Sequence, residues 1–189
     1  MGRPAKFDDE QLLDAVDQLV ASEGPSAATT RRLAALVGAP TGSLYYRFAT
    51  RELLVARAWL RAVSEFQVGY LAALADPDID VAALGAAQHV PRWAAANPER
   101  SSLLLRHRRE ELVSRWPVEL GDGLDTLNRR IEAALTHHAR RRFGRGAKRR
   151  LPVVRYALVH LPEAAVRSTS APGSLVDAVG AAALAALRR

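Results

Sequence analysis

The chain has 189 residues, of which 49% are hydrophobic, and this suffices for one large domain or for a small domain and a larger one. It contains no cysteine, which excludes disulfides, thiolate catalysis and cysteine-ligated zinc. The formal net charge is +7, and every basic residue except Lys6 and Lys148 is an arginine, which weakly favours a polyanionic partner. No apolar run reaches the roughly 20 residues that a membrane span requires, so we expect a cytoplasmic protein without a membrane partner.

Apolar residues recur at helical spacing along the whole chain, and no alternating strand pattern occurs. We therefore predict an all-α fold of about nine helices. The first helix has a complete start signal, because Asp8 can cap it and Gln11 follows three residues later. Gly24-Pro25 is expected to end it.

Two short helices are predicted next. Thr29 is the expected cap of the first of them, and Gly38 is the expected stop. The stretch PTGSLYYRF, residues 40–48, then begins another helix in which Leu44 and Phe48 share the inward face. The sides and the outer face of this helix are left to Thr41, Ser43, Tyr45, Tyr46 and Arg47.

Two short helices joined by a tight glycine turn are typical of a helix-turn-helix, whose second helix enters the DNA major groove. Hydroxyls, tyrosines and arginine can all bond phosphate oxygens, and Arg47 could also reach a guanine edge. Gly42 would let the backbone approach a sugar-phosphate chain closely. The alternative for Tyr45 and Tyr46 is a place as half-buried aromatics in a small core.

The later apolar patterns predict further helices. Thr50 is the expected cap of a long helix that ends near Leu74, and Asp76-Pro77-Asp78 breaks the chain after it. The next helices are predicted over residues 80–96, 99–115, 120–142 and 151–166, the last interrupted by Pro162. Ser174 is the expected cap of a final alanine-rich helix.

The run TTRRLAALVGAPTGSLYYRFATRELL resembles the N-terminal domain of the TetR family of transcriptional regulators, over roughly residues 7–66. The residues that fall at the family's spacing are Thr29, Leu33-Ala34, Gly38, Gly42, Leu44-Tyr45, Phe48 and Arg51-Glu52. The resemblance implies a three-helix helix-turn-helix DNA-binding domain at residues 7–66, with its motif at about 29–48. A larger helical effector-binding and dimerisation domain would then occupy residues 67–189.

The same resemblance implies a non-enzymatic, dimeric regulator that binds a palindromic operator on double-stranded DNA. In that family a small molecule usually releases the operator. Carried over by position, Arg31 lies on the helix that crosses the DNA backbone, and Arg51 would contact phosphate beside a positive helix end. The recognition surface would consist of Thr41, Gly42, Ser43, Tyr45, Tyr46 and Arg47. Pro40 stands where the family commonly has a capping serine, which leaves Thr41 as a cap, a phosphate contact or both.

The C-terminal part of the chain yields two predictions about partners. The last two helices, about residues 151–188, are expected to form the homodimer contact, because their alanines and Gly180 allow close helix approach. An unknown small-molecule effector is expected to meet large side chains, for which ordinary core packing is the alternative. These candidates are Trp59, Phe66, His89, Trp93, Arg106, His107 and Trp116.

Other features of the sequence allow both a functional and an ordinary structural interpretation. His107, Glu110 and Glu111 have helical spacing that could hold a metal, but no further ligand matches them, and we predict no metal site and no cofactor.

The run RRRFGRGAKRR, residues 140–150, has seven basic side chains and is expected to be a solvated loop, with non-specific electrostatic binding as the alternative. A protein–protein interaction module with weak or lost DNA reading is the alternative function. An enzyme is not expected, since no catalytic arrangement stands out.

Overall fold

The computed structural model describes residues 8–42, 44, 48, 50–106 and 117–188. Throughout these ranges the regular structure is helical, which confirms the predicted all-α fold. None of the helices within them is long and apolar enough to cross a membrane. The α-helices are α1 (Asp9–Glu23), α2 (Thr30–Val37), α3 (Arg51–Leu74), α4 (Ile79–Ala96), α5 (Pro98–Arg106), α6 (Gly123–Phe143), α7 (Ala147–Arg155), α8 (Leu161–Arg167) and α9 (Val176–Leu187).

Shorter turns join several of these helices. One-turn 3₁₀ helices lie at Pro25–Ala27, Val118–Leu120, Gly144–Gly146 and Pro172–Leu175, and a π-helical turn lies at Tyr156–His160. Because α6, α7 and α8 follow one another through such turns without a break, they form one continuous segment. Counted as continuous segments, the described residues hold 7 helices, fewer than the nine or so predicted.

The basic run at residues 140–150 is helical, so the prediction of a loop there is wrong. Its first residues end α6, its middle forms the turn at Gly144–Gly146, and its last residues begin α7. Arginine and lysine are good helix formers, and nothing in the run except glycine opposes a helix. Gly144 takes a positive φ of 52°, which changes the direction of the chain between α6 and α7.

Most of the predicted helix ends are confirmed. Asp8 and Gln11 form a reciprocal capping box at α1, and Gly24 ends that helix with a φ of 90°. Thr50 Oγ1 accepts a hydrogen bond from the Leu53 amide at 3.1 Å, and α3 runs to Leu74 as expected.

The cap predicted for the last helix is wrong. Ser174 Oγ donates to the Ala171 carbonyl at 2.8 Å within a 3₁₀ turn, and α9 begins at Val176 without a side-chain cap. Pro162 does not break the helix, and a π-helical turn directly precedes α8 instead. Pro162 has no N–H to offer the Leu158 carbonyl four residues earlier. The Tyr70 hydroxyl donates to that carbonyl instead, at 2.9 Å.

The chain divides into two compact units. The N-terminal unit comprises the described parts of Met1–Val63 and Pro98–Gly123, and the C-terminal unit comprises Ser64–Asn97 and the described part of Leu124–Arg189. Buried residues of α1, α2, α3 and α5 form the core of the N-terminal unit, among them Leu12, Val16, Leu33, Leu54 and Leu103. The core of the C-terminal unit includes Tyr70, Leu74, Ala86, Leu135, Leu158, Val179 and Leu187. Residues 98–106 and 117–123 thus group with the N-terminal residues, although the sequence placed them in the second domain.

The buried imidazole of His138 is unsatisfied within the described part of the C-terminal unit. His138 of α6 is 0% exposed, and neither ring nitrogen has a hydrogen-bond partner among the described residues. Burial lowers the pKa of His138 to about 4, and Arg142, Arg141 and His137 act in the same direction. The charge of Asp80, on α4, opposes them only partly. The imidazole is therefore neutral in the folded protein at neutral pH.

Acidification should therefore destabilise the C-terminal unit through His138. An unfolded chain binds the proton below about pH 6.5, whereas the folded chain binds it only near pH 4, so stability falls as pH falls between these values. Between pH 7.5 and pH 5 the expected loss is about 2 kcal/mol. The measurement is the free energy of unfolding in urea at about pH 7.5 and about pH 5, for the wild type and His138→Leu. Equal losses in both proteins would contradict this assignment.

Candidate functional site

The first helix of the candidate DNA-reading motif is α2, and both of its predicted ends are confirmed. Thr29 Oγ1 accepts a hydrogen bond from the Arg32 amide at 3.4 Å, which satisfies one of the free N–H groups at the helix start. Gly38 ends the helix in the left-handed conformation, with a φ of 64°. A residue with a side chain would be strained there, so this turn explains the glycine.

The second helix of the motif is described in part. Thr41, Gly42 and Leu44 are helical, and the Phe48 amide donates to the Leu44 carbonyl at 2.8 Å. Leu44 and Phe48 are each 1% exposed, which confirms them as the inward residues. Four of the proposed contact residues lie outside the described part of the chain, namely Ser43, Tyr45, Tyr46 and Arg47.

The outward start of this helix is polar and exposed. Helical backbone begins at Thr41, so Pro40 precedes the helix and Thr41 lies in its first turn rather than at the cap. Thr41 and Gly42 are both exposed. A Cβ added at Gly42 would meet nothing within 4 Å among the described residues, and its φ is not positive. Packing within the described chain therefore gives no reason for glycine at this position.

The three arginines near the motif differ in what holds them. Arg31 is exposed and has neither a hydrogen bond nor an ion pair with any described residue. Arg32 donates to both carboxylate oxygens of Glu23, at 2.7 and 2.5 Å. Arg51 donates to the carbonyl of Pro25, in the turn that precedes α2. Arg31 is thus the arginine of this group whose guanidinium is available to an outside anion.

The candidate effector residues separate into two groups. Phe66, His89 and Trp93 come together in the C-terminal unit, where the Phe66 ring lies 5.1 Å from the His89 ring and 5.5 Å from the Trp93 ring. Trp59 and Arg106 belong to the N-terminal unit. His107 and Trp116, like Glu110 and Glu111, lie outside the described residues.

The aromatic cluster includes a member that the sequence interpretation missed. Tyr70 lies 5.5 Å from Phe66 and 6.4 Å from His89, measured between ring centroids. Its position four residues after Phe66 in one helix was a signal for this contact. Burial raises the pKa of the Tyr70 hydroxyl, which remains a neutral donor.

His89 is fixed in this cluster by a hydrogen bond and by a glycine. Its Nε2 donates to the Phe66 carbonyl at 2.9 Å, and burial lowers its pKa. The ring fits because Gly69 has no side chain, since a Cβ there would lie 2.4 Å from His89 Cε1. The cluster is therefore closely packed, and any ligand among these rings has to displace at least one of them.

Comparison with known families bears on the N-terminal unit. Residues 12–58 match the family model of the bacterial regulatory proteins of the tetR family. This N-terminal region is a TetR-family domain. Leu44, Phe48 and the ends of α2 all lie within the matched residues, so the matched sequence and the helix-turn-helix geometry coincide.

Solved structures resemble the chain over nearly its whole length. PfmR, a TetR-family regulator from Thermus thermophilus, has a TM-score of 0.73 and 19% identity, over 92% of this chain and 97% of that one. A tetR-family regulatory protein from Rhodococcus RHA1 has a TM-score of 0.68 and 19% identity, over 95% and 96%. FadR from Bacillus subtilis, solved with stearoyl-CoA, has a TM-score of 0.68 and 11% identity, over 95% and 99%.

At these identities the solved structures show that the chain shares the all-α fold of these proteins. Curated proteins give no match to the sequence. The matched domain and the shared fold together support a role in DNA-binding regulation.

A buried ion cluster fixes the helices that carry the TetR-family domain. Asp17 of α1 is 2% exposed, and its Oδ2 accepts from Arg61 of α3 at 2.6 Å and from Arg100 of α5 at 3.3 Å. Asp14 and Glu10 also bond Arg61, at 2.9 and 2.7 Å. Burial raises the pKa of the Asp17 carboxyl, while Arg61 and then Arg100 favour its ionised form. A carboxylate this deep is tolerated only because both guanidiniums pair with it.

Sequence reasoning missed this cluster, although one signal was present. Asp17 lies four residues after Leu13 and three before Val20, which are both buried, so it shares their inward face. An acid on an apolar face requires a cation from elsewhere. The sequence does not say which of the many arginines supplies it.

Removal of Asp17 should therefore loosen the TetR-family domain. Asp17→Ala would deprive both Arg61 and Arg100 of their buried carboxylate, at an expected cost of about 3 kcal/mol in the free energy of unfolding. The matched control is Asp14→Ala, because Asp14 bonds the same arginines but is 61% exposed. Its effect should be far smaller. Urea unfolding of both variants provides the measurement, and equal losses would show that burial of Asp17 does not matter.

Proposed function

We propose that this protein is a cytoplasmic, non-enzymatic transcriptional repressor that binds a palindromic DNA operator as a homodimer. A small-molecule effector is proposed to release it from the operator. The observation that carries the proposal is the coincidence of the TetR-family match at residues 12–58 with a capped, glycine-ended α2 and an exposed polar start to the next helix.

The proposed DNA contacts follow from exposure and chemistry. Arg31 has a free guanidinium and is proposed to bind a phosphate. Thr41 is an exposed hydroxyl in a first helical turn, where N–H groups also face an anion. No packing contact in the described chain requires a glycine at position 42. Its lack of a side chain would let a sugar-phosphate backbone approach closely. The remaining recognition residues are proposed from the family resemblance and comprise Ser43, Tyr45, Tyr46 and Arg47.

Arg51 has a more restricted role in the proposal. Part of its guanidinium is bonded to the Pro25 carbonyl, so it fixes the turn before α2. Its Nη1 lies 3.8 Å from Glu52 Oε1, and a phosphate would share this nitrogen with that carboxylate. Arg51 is therefore proposed to position α2 and to bind the DNA backbone in addition.

In vitro selection from random duplex DNA tests this function directly. The protein is incubated with the pool at a stated salt concentration, since affinity for DNA has no meaning without one. An enriched palindrome is the expected result. If folded protein enriched no sequence, the operator-binding proposal would be wrong.

Substitutions in the recognition stretch should weaken binding to the selected operator. Tyr46→Ala and Arg47→Ala should each cost about 1–3 kcal/mol in binding free energy while leaving the fold unchanged. The matched control is Arg32→Ala, whose guanidinium is already bonded to Glu23. Fluorescence anisotropy on the operator measures affinity, and circular dichroism checks the fold. Wild-type affinity in both Tyr46→Ala and Arg47→Ala would show that another helix face reads the DNA.

The proposed dimer surface lies on α9. Four exposed alanines, Ala178, Ala181, Ala182 and Ala185, recur at helical spacing along its outer face. Tyr156, in the π-helical turn before α8, is 56% exposed although it is large. Between Asp177 and Arg188 this face has no charged residue, which suits close packing against a second copy.

Gly180 has a different role from the one that the sequence suggested. It is buried on the opposite side of α9, where a Cβ would lie 2.6 Å from Leu84 Cδ1 and 2.9 Å from Gln88 Cγ of α4. Its small size therefore serves packing within the chain. The expected contribution of Gly180 to the dimer contact is corrected accordingly, and the alanines alone are proposed for it.

A charge on this face should separate the subunits. Ala182→Arg places a guanidinium in the centre of the proposed contact, and like charges would oppose each other across a two-fold axis. We expect a monomer in light scattering and weaker operator binding in anisotropy. Ala133→Arg on α6 is the matched control, because Ala133 is also an exposed helical alanine. A dimeric Ala182→Arg protein would place the interface elsewhere.

The effector is proposed to bind among the rings of Phe66, His89 and Trp93. These side chains are half-buried, in contrast to Tyr70, so they border the cluster rather than fill its centre. Because the rings are packed together, a ligand would favour a conformation in which they part, and linkage would transmit this preference to operator affinity. Stearoyl-CoA, the ligand of one structural relative, is the first probe for operator release.

A further inference from the structure

The contact between α3 and α6 in the C-terminal unit contains two buried amide atoms without a hydrogen-bond partner. Gln67 of α3 is 3% exposed, and its Nε2 donates to the Leu127 carbonyl of α6 at 3.2 Å. Its Oε1 is also buried but accepts no hydrogen bond from a described residue. Asn128, which follows Leu127, has a buried Nδ2 that donates to no described residue. One unused acceptor and one unused donor therefore occur beside the same part of α6.

The side-chain amide of Gln67 is held in one orientation. Because the Leu127 carbonyl can only accept, it binds the Nε2 end of the amide and leaves Oε1 for another donor. Phe66 precedes Gln67 in α3, and Tyr70 follows it by three residues, which places Tyr70 on a neighbouring part of the same helix face. The rings of Phe66 and Tyr70 lie 5.5 Å apart, between centroids. Gln67 thus presents a fixed acceptor beside the aromatic cluster.

Folding stability gives no reason for these two unpaired atoms. A buried donor or acceptor without a partner costs free energy, whereas an apolar side chain of the same shape does not. Methionine in place of Gln67, or leucine in place of Asn128, would fill a similar volume without this cost. A bound molecule that bonds both atoms accounts for the two amides better than packing does.

We propose that Gln67 and Asn128 bind the neutral carboxamide group of an aromatic effector. Gln67 Oε1 accepts from the N–H of the ligand, and Asn128 Nδ2 donates to its carbonyl oxygen. A carboxamide has both groups on one carbon, whereas a carboxylate would set an oxygen against Gln67 Oε1. The aromatic part of the ligand lies among the rings of Phe66, His89 and Trp93. This ligand class rests on the proposed function, which assigns the effector to those rings.

The charges around this contact favour a ligand without net charge. Burial lowers the pKa of His89, so its imidazole is neutral at neutral pH. Arg155 of α7 donates to Glu132 of α6 at 2.6 Å, one helical turn after Asn128, and these two charges offset each other. A charged ligand would lose its hydration without gaining an opposite charge from these groups.

Three probes of nearly equal shape test the assignment on the full chain, namely benzamide, acetophenone and benzoate. Acetophenone has a methyl group in place of the amide nitrogen, so it retains the bond to Asn128 and loses the bond to Gln67. Benzoate has a charged oxygen there. Dissociation constants are measured by ligand-observed NMR at millimolar probe concentrations. We expect benzamide to bind about tenfold more tightly than either of the others, as one buried hydrogen bond allows.

Two variants separate the two contacts. Gln67→Met should bind benzamide and acetophenone equally, because the acceptor is gone. Asn128→Leu should weaken both probes by a similar factor, because both have a carbonyl oxygen. The matched control is Gln88→Met, which should retain the preference for benzamide, since the Gln88 amide is bonded to Asp177 at 3.1 Å. Gln67→Met and Asn128→Leu should unfold at the wild-type urea concentration or above it, since each removes an unpaired buried atom.

Equal affinity of the wild type for benzamide and acetophenone would overturn the proposal, and so would an unchanged preference in Gln67→Met. Either result, combined with unfolding of the variants at lower urea concentration, would assign the two amides to packing or to an internal water. Fluorescence anisotropy measures separately whether benzamide releases the selected operator. Preference for benzamide without operator release would support this site and contradict its proposed link to DNA binding. Operator release by stearoyl-CoA, without any preference among the three probes, would support the proposed function and overturn this inference.

Discussion

The N-terminal unit depends on one buried carboxylate. Asp17 is the residue at which α1, α3 and α5 meet, because its charge requires the guanidiniums of both Arg61 and Arg100. Burial of an ion is costly, and the cost is offset only when every partner is in place. The cluster therefore fixes the three helices in one arrangement. The helix-turn-helix packs on this frame through Leu33, Leu44 and other apolar residues, which tolerate small shifts better than ion pairs do.

The same constraint explains how the protein uses its arginines. Arg61, Arg100 and Arg142 pair with carboxylates inside a unit, and Arg51 and Arg141 bond backbone carbonyls. Among the arginines that the structure describes, only a minority project into solvent without a partner, and these have a charge to offer another molecule. Net charge alone overstates the surface available to DNA, since it counts structural and free arginines alike.

The C-terminal unit is closely packed, and side chains bond some of the backbone groups that its helices leave without a partner. Pro162 frees the carbonyl of Leu158, and Tyr70 takes it up. Gly69 makes room for the His89 ring, and Gly180 makes room for α4 against α9. Other groups stay unsatisfied, since both nitrogens of His138 and the buried Gln67 Oε1 find no partner among the described residues. A unit with little spare volume and one unsatisfied imidazole can respond to a bound molecule by repacking rather than by gradual deformation.

The amino-acid sequence by itself determined the features that depend on neighbours in the chain. Thr29, Gly38 and Thr50 mark helix ends because a cap acts within one turn, and Leu44 and Phe48 face inward because residues four apart share a face. The family resemblance rested on this local pattern, which is why it could be read from one sequence. The residues assigned to DNA, to an effector and to a dimer contact do not follow from this local pattern. They were assigned from the family resemblance and from their position in the chain.

Tertiary structure alone decided which distant residues meet. Asp17 finds Arg100 more than eighty residues away, and Tyr70 finds Leu158 at a similar separation. No local pattern selects one arginine among so many, or shows that Gly180 faces α4 rather than a second subunit. It was also the fold that made residues 140–150 a fixed corner, because the anchors of that run lie on α4 and at the end of α9. Long-range partners are chosen by the packing of whole helices, and that information appears only when the chain is folded.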